Sequence, residues 1–206
     1  MIENFLRRPH GFVELLADGI RLVGALSVLA AFIWFEPTDG GIVALALPAL
    51  LVPRFLGIRS GFDVLYGLVV LIAAWSNVID LYRTVVGWDI VMHVVATAVL
   101  AAMTYLAFAL FGVIPLPGTA AARPRTAFVL VPTIGLAISA IWEMIEWAGK
   151  TFITDEIFVT YQDTIGDMVA GGLGAAVAGV IVARVRLLRQ DVRPAAGVTQ
   201  PQSARS

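Results

Sequence analysis

Six apolar segments of about the length that crosses a lipid bilayer recur along this chain of 206 residues. They cover approximately residues 17–35, 41–56, 61–82, 88–113, 127–149 and 162–187. About 20 apolar residues in a helix span the hydrocarbon of a membrane. Because lipid cannot hydrogen-bond to backbone N–H and C=O groups, such segments fold as helices. The sequence therefore predicts an all-α integral membrane protein, a bundle of about six transmembrane helices.

The composition agrees with a membrane protein and excludes several kinds of chemistry. Hydrophobic residues make up 59% of the chain and charged residues only 14%, whereas about a quarter of a soluble protein is charged. The chain has no cysteine, which excludes disulfides, thiolate metal ligands and cysteine nucleophiles. Pro48 and Pro53 interrupt the second segment, which predicts a kinked or partly re-entrant span there.

The basic residues predict the orientation of the bundle. If six helices alternate in direction, all but Arg83 and Lys150 of the 14 basic residues fall on one side. Basic residues favour the cytoplasmic side, so both termini are expected in the cytoplasm. The predicted membrane domain covers residues 1–189. Residues 190–206 are polar and rich in proline and alanine, which predicts a disordered cytoplasmic tail.

Acidic residues gather at the opposite, extracytoplasmic end of three of the predicted helices. The fourth span begins with an aspartate and a histidine, the fifth ends with two glutamates, and the sixth begins with two aspartates. In chain order these residues are Asp89, His93, Glu143, Glu146, Asp163 and Asp167. The topology therefore brings three polar pairs to one depth of the membrane.

The spacing within each pair predicts which helix face the side chains occupy. Residues three or four apart share one face of a helix. Below Asp167 the same four-residue repeat continues with Gly171, Ala175 and Gly179. Small residues at this spacing allow membrane helices to approach closely. The acidic face of the sixth span is thus expected to be its packing face, with carboxylates directed into the bundle.

Five carboxylates at one depth repel one another, and three arrangements relieve the repulsion. Some acids are protonated, or Arg83 and Lys150 neutralise them, or a bound cation does so. Oxygen ligands with one imidazole suit manganese, zinc or iron, and also magnesium or calcium. The residue types predict a divalent metal ion as one candidate cofactor and do not select its identity.

Each of these residues also has a purely structural explanation. Asp89 and Asp163 lie at helix starts, where aspartate caps the helix and favours its dipole. The glutamates can be solvated near the interface, and a histidine can be hydrogen-bonded in a core. Trp142 and Trp147 are typical of the aromatic belt at a membrane surface. Taken together, the six residues indicate a functional polar site, because ionisable residues inside membranes are candidates for function.

The second half of the chain resembles a known family. The stretches "WDIVMH", "IWEMIEW" and "QDTIGDMVAGGLGA" are similar to the bacterial inner-membrane family typified by YjdF, whose members are six-span proteins of unknown function. The resemblance covers about residues 85–180 and implies location in the bacterial inner membrane. A looser similarity is to VanZ-like proteins, which are associated with tolerance of glycopeptides. Here Glu146 stands where that family tends to have glutamine, and Tyr161 and Gln162 precede Asp163 without its arginine.

The favoured functional hypothesis is a metal-dependent hydrolase or transferase that acts on a lipid or lipid-linked envelope substrate. His93, Asp89, Asp163 and Asp167 are the predicted metal ligands. Glu143 is the preferred general base or a further ligand, and Glu146 is a ligand or a partner that positions charge, paired with Lys150 four residues later.

Two other classes of function remain open at the level of sequence. Acid-lined helix ends also fit a cation- or proton-coupled transporter, although spans four to six are mostly apolar toward the cytoplasm. Alternatively, the acids organise the bundle of an envelope assembly partner. Beyond the lipid bilayer and a lipid-linked substrate no partner is predicted; no nucleic-acid patch is present, and nothing indicates the oligomeric state.

Overall fold

The computed structural model describes residues 1–154 and 157–192. Within these residues the chain forms eight helices. Their bounds are Ile2–Leu6 (α1), Phe12–Trp34 (α2), Pro37–Leu56 (α3), Ser60–Val78 (α4), Leu81–Thr84 (α5), Trp88–Leu110 (α6), Pro124–Phe152 (α7) and Tyr161–Arg184 (α8). Helices α2, α3, α4, α6, α7 and α8 are each long and apolar enough to cross a membrane. The predicted six-helix membrane bundle is therefore confirmed.

Several helices begin or end away from the predicted bounds. Helix α4 ends at Val78 because Asp80 adopts a left-handed backbone conformation with φ of 57°, which an α-helix cannot continue. Helix α7 begins at Pro124, a residue suited to the first helical position, and continues to Phe152. The helix therefore extends three residues past residue 149, where the predicted fifth span ends.

The second span is a continuous helix. Helix α3 runs for 20 residues with Pro48 and Pro53 inside it, so the expectation of a partly re-entrant segment is wrong. Its N-terminus carries a capping box. The side chain of Glu36 accepts a hydrogen bond from the backbone N–H of Asp39, and the side chain of Asp39 accepts one from the backbone N–H of Glu36. This arrangement satisfies donors that the first helical turn otherwise leaves open.

The six long helices form two groups of three. Helices α2, α3 and α4 pack against one another, as do α6, α7 and α8. Among the described helices, the first group contacts the second through α3 and α4 against α6. Helix α8 makes its contacts with both α6 and α7, so the second group has a closely packed centre.

Small residues permit that close packing, as the sequence predicted. A side chain at Gly174 would collide with the backbone carbonyl of Val94 on α6, and one at Gly171 would collide with the Ser139 hydroxyl on α7. Asp167 lies one turn above Gly171 on the same face and is 1% exposed. The packing face of α8 is therefore also its acidic face.

A buried ion pair joins helices α2, α3 and α4. Arg21 on α2 donates from Nη2 to both carboxylate oxygens of Asp63 on α4, at 2.6 and 2.7 Å. It also donates from Nε to the Leu50 carbonyl on α3 at 3.0 Å and from Nη1 to Asp18 at 2.9 Å. A buried charge needs such complete hydrogen bonding, so this cluster has a structural role.

The two ends of the described chain meet at the basic end of the bundle. The Arg189 backbone N–H donates to the Gly57 carbonyl, and its side chain donates to Asn4 at 2.8 Å. Val192 is buried beside Gly57. Val192, which belongs to the predicted tail, is thus packed on the bundle, whereas Gln190 and Asp191 are exposed. Residues 193–206 lie outside the described residues, and a disordered tail there stays a prediction.

We expect Gly174→Leu to destabilise the protein by overpacking, which typically costs about 1–3 kcal/mol. The Val94 carbonyl is backbone and cannot move aside without shifting α6. Gly166→Leu on the same helix is the matched control, because nothing lies within 4 Å of a side chain there. Thermal unfolding in detergent measures the difference. Equal melting temperatures for the two variants would contradict the packing described.

Candidate functional site

The polar residues that the sequence singles out come from three adjacent helices. Asp89 and His93 lie one turn apart in the first two turns of α6, and Asp163 and Asp167 lie in the first two turns of α8. Glu143 lies nine residues before the end of α7, which corresponds to a depth of about 14 Å along the helix axis. Because α8 packs against both α6 and α7, these side chains meet in the interior.

His93 lies at the centre of this cluster. Its Nε2 atom is 3.4 Å from Asp89 Oδ1 and 3.9 Å from Glu143 Oε1. The histidine is 6% exposed and Glu143 is 5% exposed. One imidazole nitrogen therefore faces carboxylates from two helices in a space that protein excludes from lipid.

The ligand atoms form two overlapping groups that share His93. Asp89, His93 and Asp167 make one group, and His93, Glu143 and Glu146 make the other. In each group the three ligand atoms lie within 4.8 Å of one another. Five of the six predicted residues are thus brought together. Asp163 belongs to neither group; it is half-buried, and its backbone N–H donates to the hydroxyl of the capping residue Thr160.

The two most buried carboxylates make no hydrogen bond of normal geometry among the described residues, and the Thr164 side chain is a polar neighbour of Glu143. Both oxygens of Glu143 and both oxygens of Asp167 are inaccessible and have no hydrogen-bond partner among the described residues. Leaving a buried polar group unsatisfied costs about 1–3 kcal/mol, and more when the group is charged. Asp167 and Glu143 belong to different ligand groups that share His93, so a cation bound beside His93 would satisfy at least one of the two side chains.

Hydroxyl groups and small residues close the cluster on its inner side. The Thr97 hydroxyl on α6 and the Ser139 hydroxyl on α7 are 3.4 Å apart. Gly171 on α8 lies against both hydroxyls. Below this layer, Gly135 and Ala175 bring α7 and α8 together. The site is therefore closed on its inner side, and its other side faces the ends of the helices.

Trp142 takes part in the site, beyond the interfacial role that the sequence favours. Its indole N–H donates to Glu146 Oε1 at 2.8 Å, and its ring lies edge-on to His93 with centroids 6.1 Å apart. The predicted pairing of Glu146 with Lys150 is not what the structure has. Lys150 donates to the Ile157 carbonyl at 3.0 Å, and Trp142 positions Glu146.

Tyr82 is a neighbour of the site that sequence reasoning missed. A cavity of about 20 Å³ is lined by Tyr82, His93, Thr97 and Trp142, among others, which is large enough for one water molecule. The phenol donates to the Ala73 carbonyl at 3.2 Å. Burial, together with the Asp89 and Glu146 carboxylates, raises the pKa of Tyr82. It therefore remains a neutral hydroxyl beside the acids.

The two cations predicted on this side form other interactions. Arg83 pairs with Asp80 at 2.7 Å, and both side chains are about half exposed. Lys150 makes the backbone contact already described. Within the described residues, His93 is the one basic side chain inside the cluster.

These features define the class of protein: a six-helix membrane bundle with a buried Asp/His/Glu cluster near one membrane surface. The family comparison agrees with this class. Residues 18–187, more than four fifths of the chain, match the family described as "Predicted membrane protein (DUF2238)". The chain belongs to that family, which is the YjdF-like family that its second half resembles. The looser similarity to VanZ-like proteins stays a prediction. No curated protein and no solved structure matches the chain.

The absence of native cysteine allows a direct test of how α6 and α7 meet below the site. We expect Thr97→Cys with Ser139→Cys to form an intramolecular disulfide, because the two hydroxyl oxygens are 3.4 Å apart. Intact-protein mass spectrometry, with and without reductant, measures the loss of two hydrogens. Thr97→Cys with Thr133→Cys is the control, since Thr133 is exposed on α7. No disulfide in the first variant, or equal amounts in both, would contradict the geometry.

Proposed function

We propose that the Asp/His/Glu cluster binds a divalent metal ion. The observation that carries this proposal is the pair of buried, unpartnered carboxylates, Glu143 and Asp167, that flank His93. Without a cation, the charge of these inaccessible oxygens is poorly compensated by the described residues, and burying such a charge is costly. The carboxylates must otherwise bind protons, which is the outcome that the metal measurement below distinguishes.

Distances between ligand atoms support the proposal. A tetrahedral ion with bonds of about 2.1 Å holds its ligand atoms about 3.4 Å apart. The distance between His93 Nε2 and Asp89 Oδ1 is 3.4 Å, and that to Glu143 Oε1 is 3.9 Å. Both distances from His93 are therefore close to the spacing of ligands on one ion, and Asp89 and Glu143, which belong to different groups, would approach each other on binding.

The donor set favours manganese, iron or zinc. In the hard–soft sense, a ligand set of one imidazole and several carboxylates is harder than the thiolate ligands of structural zinc sites. It is softer than the all-oxygen ligand sets of calcium sites. Asp89, His93, Glu143 and Asp167 are the proposed ligands. Glu146 and Asp163 lie nearer the surface and complete the negative field around the ion.

We further propose that the site belongs to a hydrolase or transferase for a lipid or lipid-linked envelope substrate. A divalent ion here would polarise a carbonyl or phosphoryl oxygen and activate water. Glu146 is the proposed proton acceptor. Its Oε1 is held by Trp142, which leaves Oε2 for a proton, whereas Glu143 is directed at His93. The sequence analysis preferred Glu143 as the general base and Glu146 as a ligand or charge-positioning partner, and this assignment reverses the two roles.

The surroundings of the cluster favour a lipid substrate. Large apolar side chains are exposed around the outer end of α7 and the connection to α8; they include Trp147, Phe152, Ile153 and Phe158. Such side chains suit the interface between headgroups and acyl chains. A lipid lying in that interface would present its polar group at the depth of the helix ends.

Transport is less well supported than catalysis. An ion path needs polar groups that continue across the membrane. Below Thr97 and Ser139 the centre of the α6, α7 and α8 group is filled by small apolar residues such as Gly135 and Ala175 in close contact. We also propose, from the distribution of basic residues, that both termini lie in the cytoplasm of a bacterial inner membrane and that the cluster faces outward.

We expect the purified protein to bind one manganese or zinc ion per chain, and His93→Ala and Glu143→Gln to lower the affinity at least tenfold. Removing one ligand sacrifices a bond while leaving the other charges in place. Equilibrium dialysis followed by elemental analysis measures the bound metal. Asp80→Asn is the control, because Asp80 is exposed and lies outside both ligand groups. Absence of specific metal in the wild-type protein would refute the proposed site.

The same variants test catalysis separately. Metal-loaded protein is incubated with a bacterial lipid extract, and products are followed by mass spectrometry. We expect Glu146→Gln to retain metal and lose conversion. Specific metal binding with no conversion of any lipid by the wild-type protein would refute the enzymatic role and leave an ion-binding protein.

A further inference from the structure

An apolar groove lies between α4 and α8 and extends along the bundle to its basic end. Its volume is about 560 Å³. Helix α6 forms the floor, since it contacts both α4 and α8, while α4 and α8 do not contact each other in the described chain. Phe62 and Leu65 line one wall, Val177 and Ile181 line the other, and Ala98 lies on the floor. The concavity exists because the floor residue is small.

Arginines surround the mouth of this groove. Gly61 and Leu187 line its end, and the Arg59 backbone N–H donates to the Leu187 carbonyl at 2.8 Å. The Arg59 guanidinium donates to the Arg186 carbonyl at 3.2 Å. Arg184 follows Ile181 by three residues, so the two share a helix face. Three exposed cations therefore lie where the apolar lining ends.

No carboxylate neutralises these three cations. Among residues 1–154 and 157–192, Arg59, Arg184 and Arg186 form no ion pair. By contrast, the neighbouring Arg189 pairs with Asp191 at 3.1 Å. The positive charge at the groove mouth is thus available to a negatively charged ligand.

We propose that this groove binds one anionic phospholipid from the leaflet at the basic end of the bundle. One hydrocarbon chain lies along α6 between α4 and α8, and the phosphate contacts the guanidinium groups of Arg59, Arg184 and Arg186. Basic pockets between transmembrane helices are suited to anionic headgroups. None of the acidic-cluster residues lines the groove, so the lipid proposal does not depend on the metal proposal.

The charge at the groove mouth favours a phospholipid over another apolar helix. The lining on α6 runs from Val94 to Ala102, a length of about 12 Å. An apolar helix would supply no anion for the arginines. A phospholipid supplies a narrow apolar chain and a negative charge in the same molecule.

Two kinds of variant separate the contributions of chain and headgroup. Gly61→Leu fills the mouth of the groove without a collision, since nothing lies within 4 Å of a side chain at Gly61. Gly19→Leu on α2 is its control, because the space there is equally open. Arg184→Gln with Arg186→Gln removes two charges and leaves the Arg59 hydrogen bond to the Arg186 backbone intact. Arg123→Gln with Arg125→Gln removes two exposed charges from the start of α7, at the same end.

The experiment is native mass spectrometry of the full chain released from nanodiscs that contain phosphatidylglycerol and phosphatidylcholine in equal amounts with identical chains. We expect one retained phosphatidylglycerol per chain. Each arginine is expected to raise the affinity for an anionic lipid about fivefold. The double arginine variant should therefore lower retention of phosphatidylglycerol about 25-fold and leave retention of phosphatidylcholine unchanged. Gly61→Leu is expected to abolish retention of the bound lipid, and both control variants to behave as wild type. Ala98→Leu, which fills the floor, replaces Gly61→Leu if the latter fails to fold.

Three results would overturn the proposal. Equal retention of the two lipids by the wild-type protein would show that the arginines do not select an anionic headgroup. Equal losses in the control variants would make the effect one of general surface charge or stability. A dimer that Gly61→Leu dissociates without loss of lipid would assign the groove to a second copy of the chain.

Discussion

The close approach of α8 to α6 and α7 is the constraint on which the site depends. Gly174 lies against the Val94 carbonyl, and Gly171 lies against the Ser139 hydroxyl. Any side chain at these positions would push α8 outward. Because Asp167 is on the same face one turn above Gly171, the same contact that packs the helices also carries a carboxylate out of reach of water and lipid. Packing and site formation therefore share one cause.

Charge divides the bundle into two different ends. At the basic end, Arg21 and Asp63 form a fully hydrogen-bonded ion pair that links three helices. Near the other end, Glu143 and Asp167 are also buried, and their oxygens make no hydrogen bond of normal geometry within residues 1–154 and 157–192. Burying a charge is tolerated where it is paired and costly where it is not. This contrast separates a structural cluster from a candidate binding site within one protein.

Much of this arrangement could be predicted from the sequence, because depth and helix face follow from position along a helix. The convergence of Asp89, His93, Glu143 and Asp167 follows from three segments whose polar pairs share one end and one face. Contacts between distant segments were not predictable in the same way. Asp63 is 42 residues from Arg21, and no helical period relates them. Tyr82 reaches the site because Asp80 breaks the helix, and a left-handed aspartate leaves no clear signal in sequence.

The central claim is that His93 and the buried carboxylates hold one metal ion, and electron paramagnetic resonance of the manganese-loaded protein tests it most directly. We predict a bound Mn²⁺ signal with hyperfine coupling to a single imidazole nitrogen, because His93 is the one histidine in the cluster. Substituting His93→Ala should remove that coupling, and a His10→Ala control should preserve it. A manganese signal without nitrogen coupling, or coupling that survives in His93→Ala, would contradict the account.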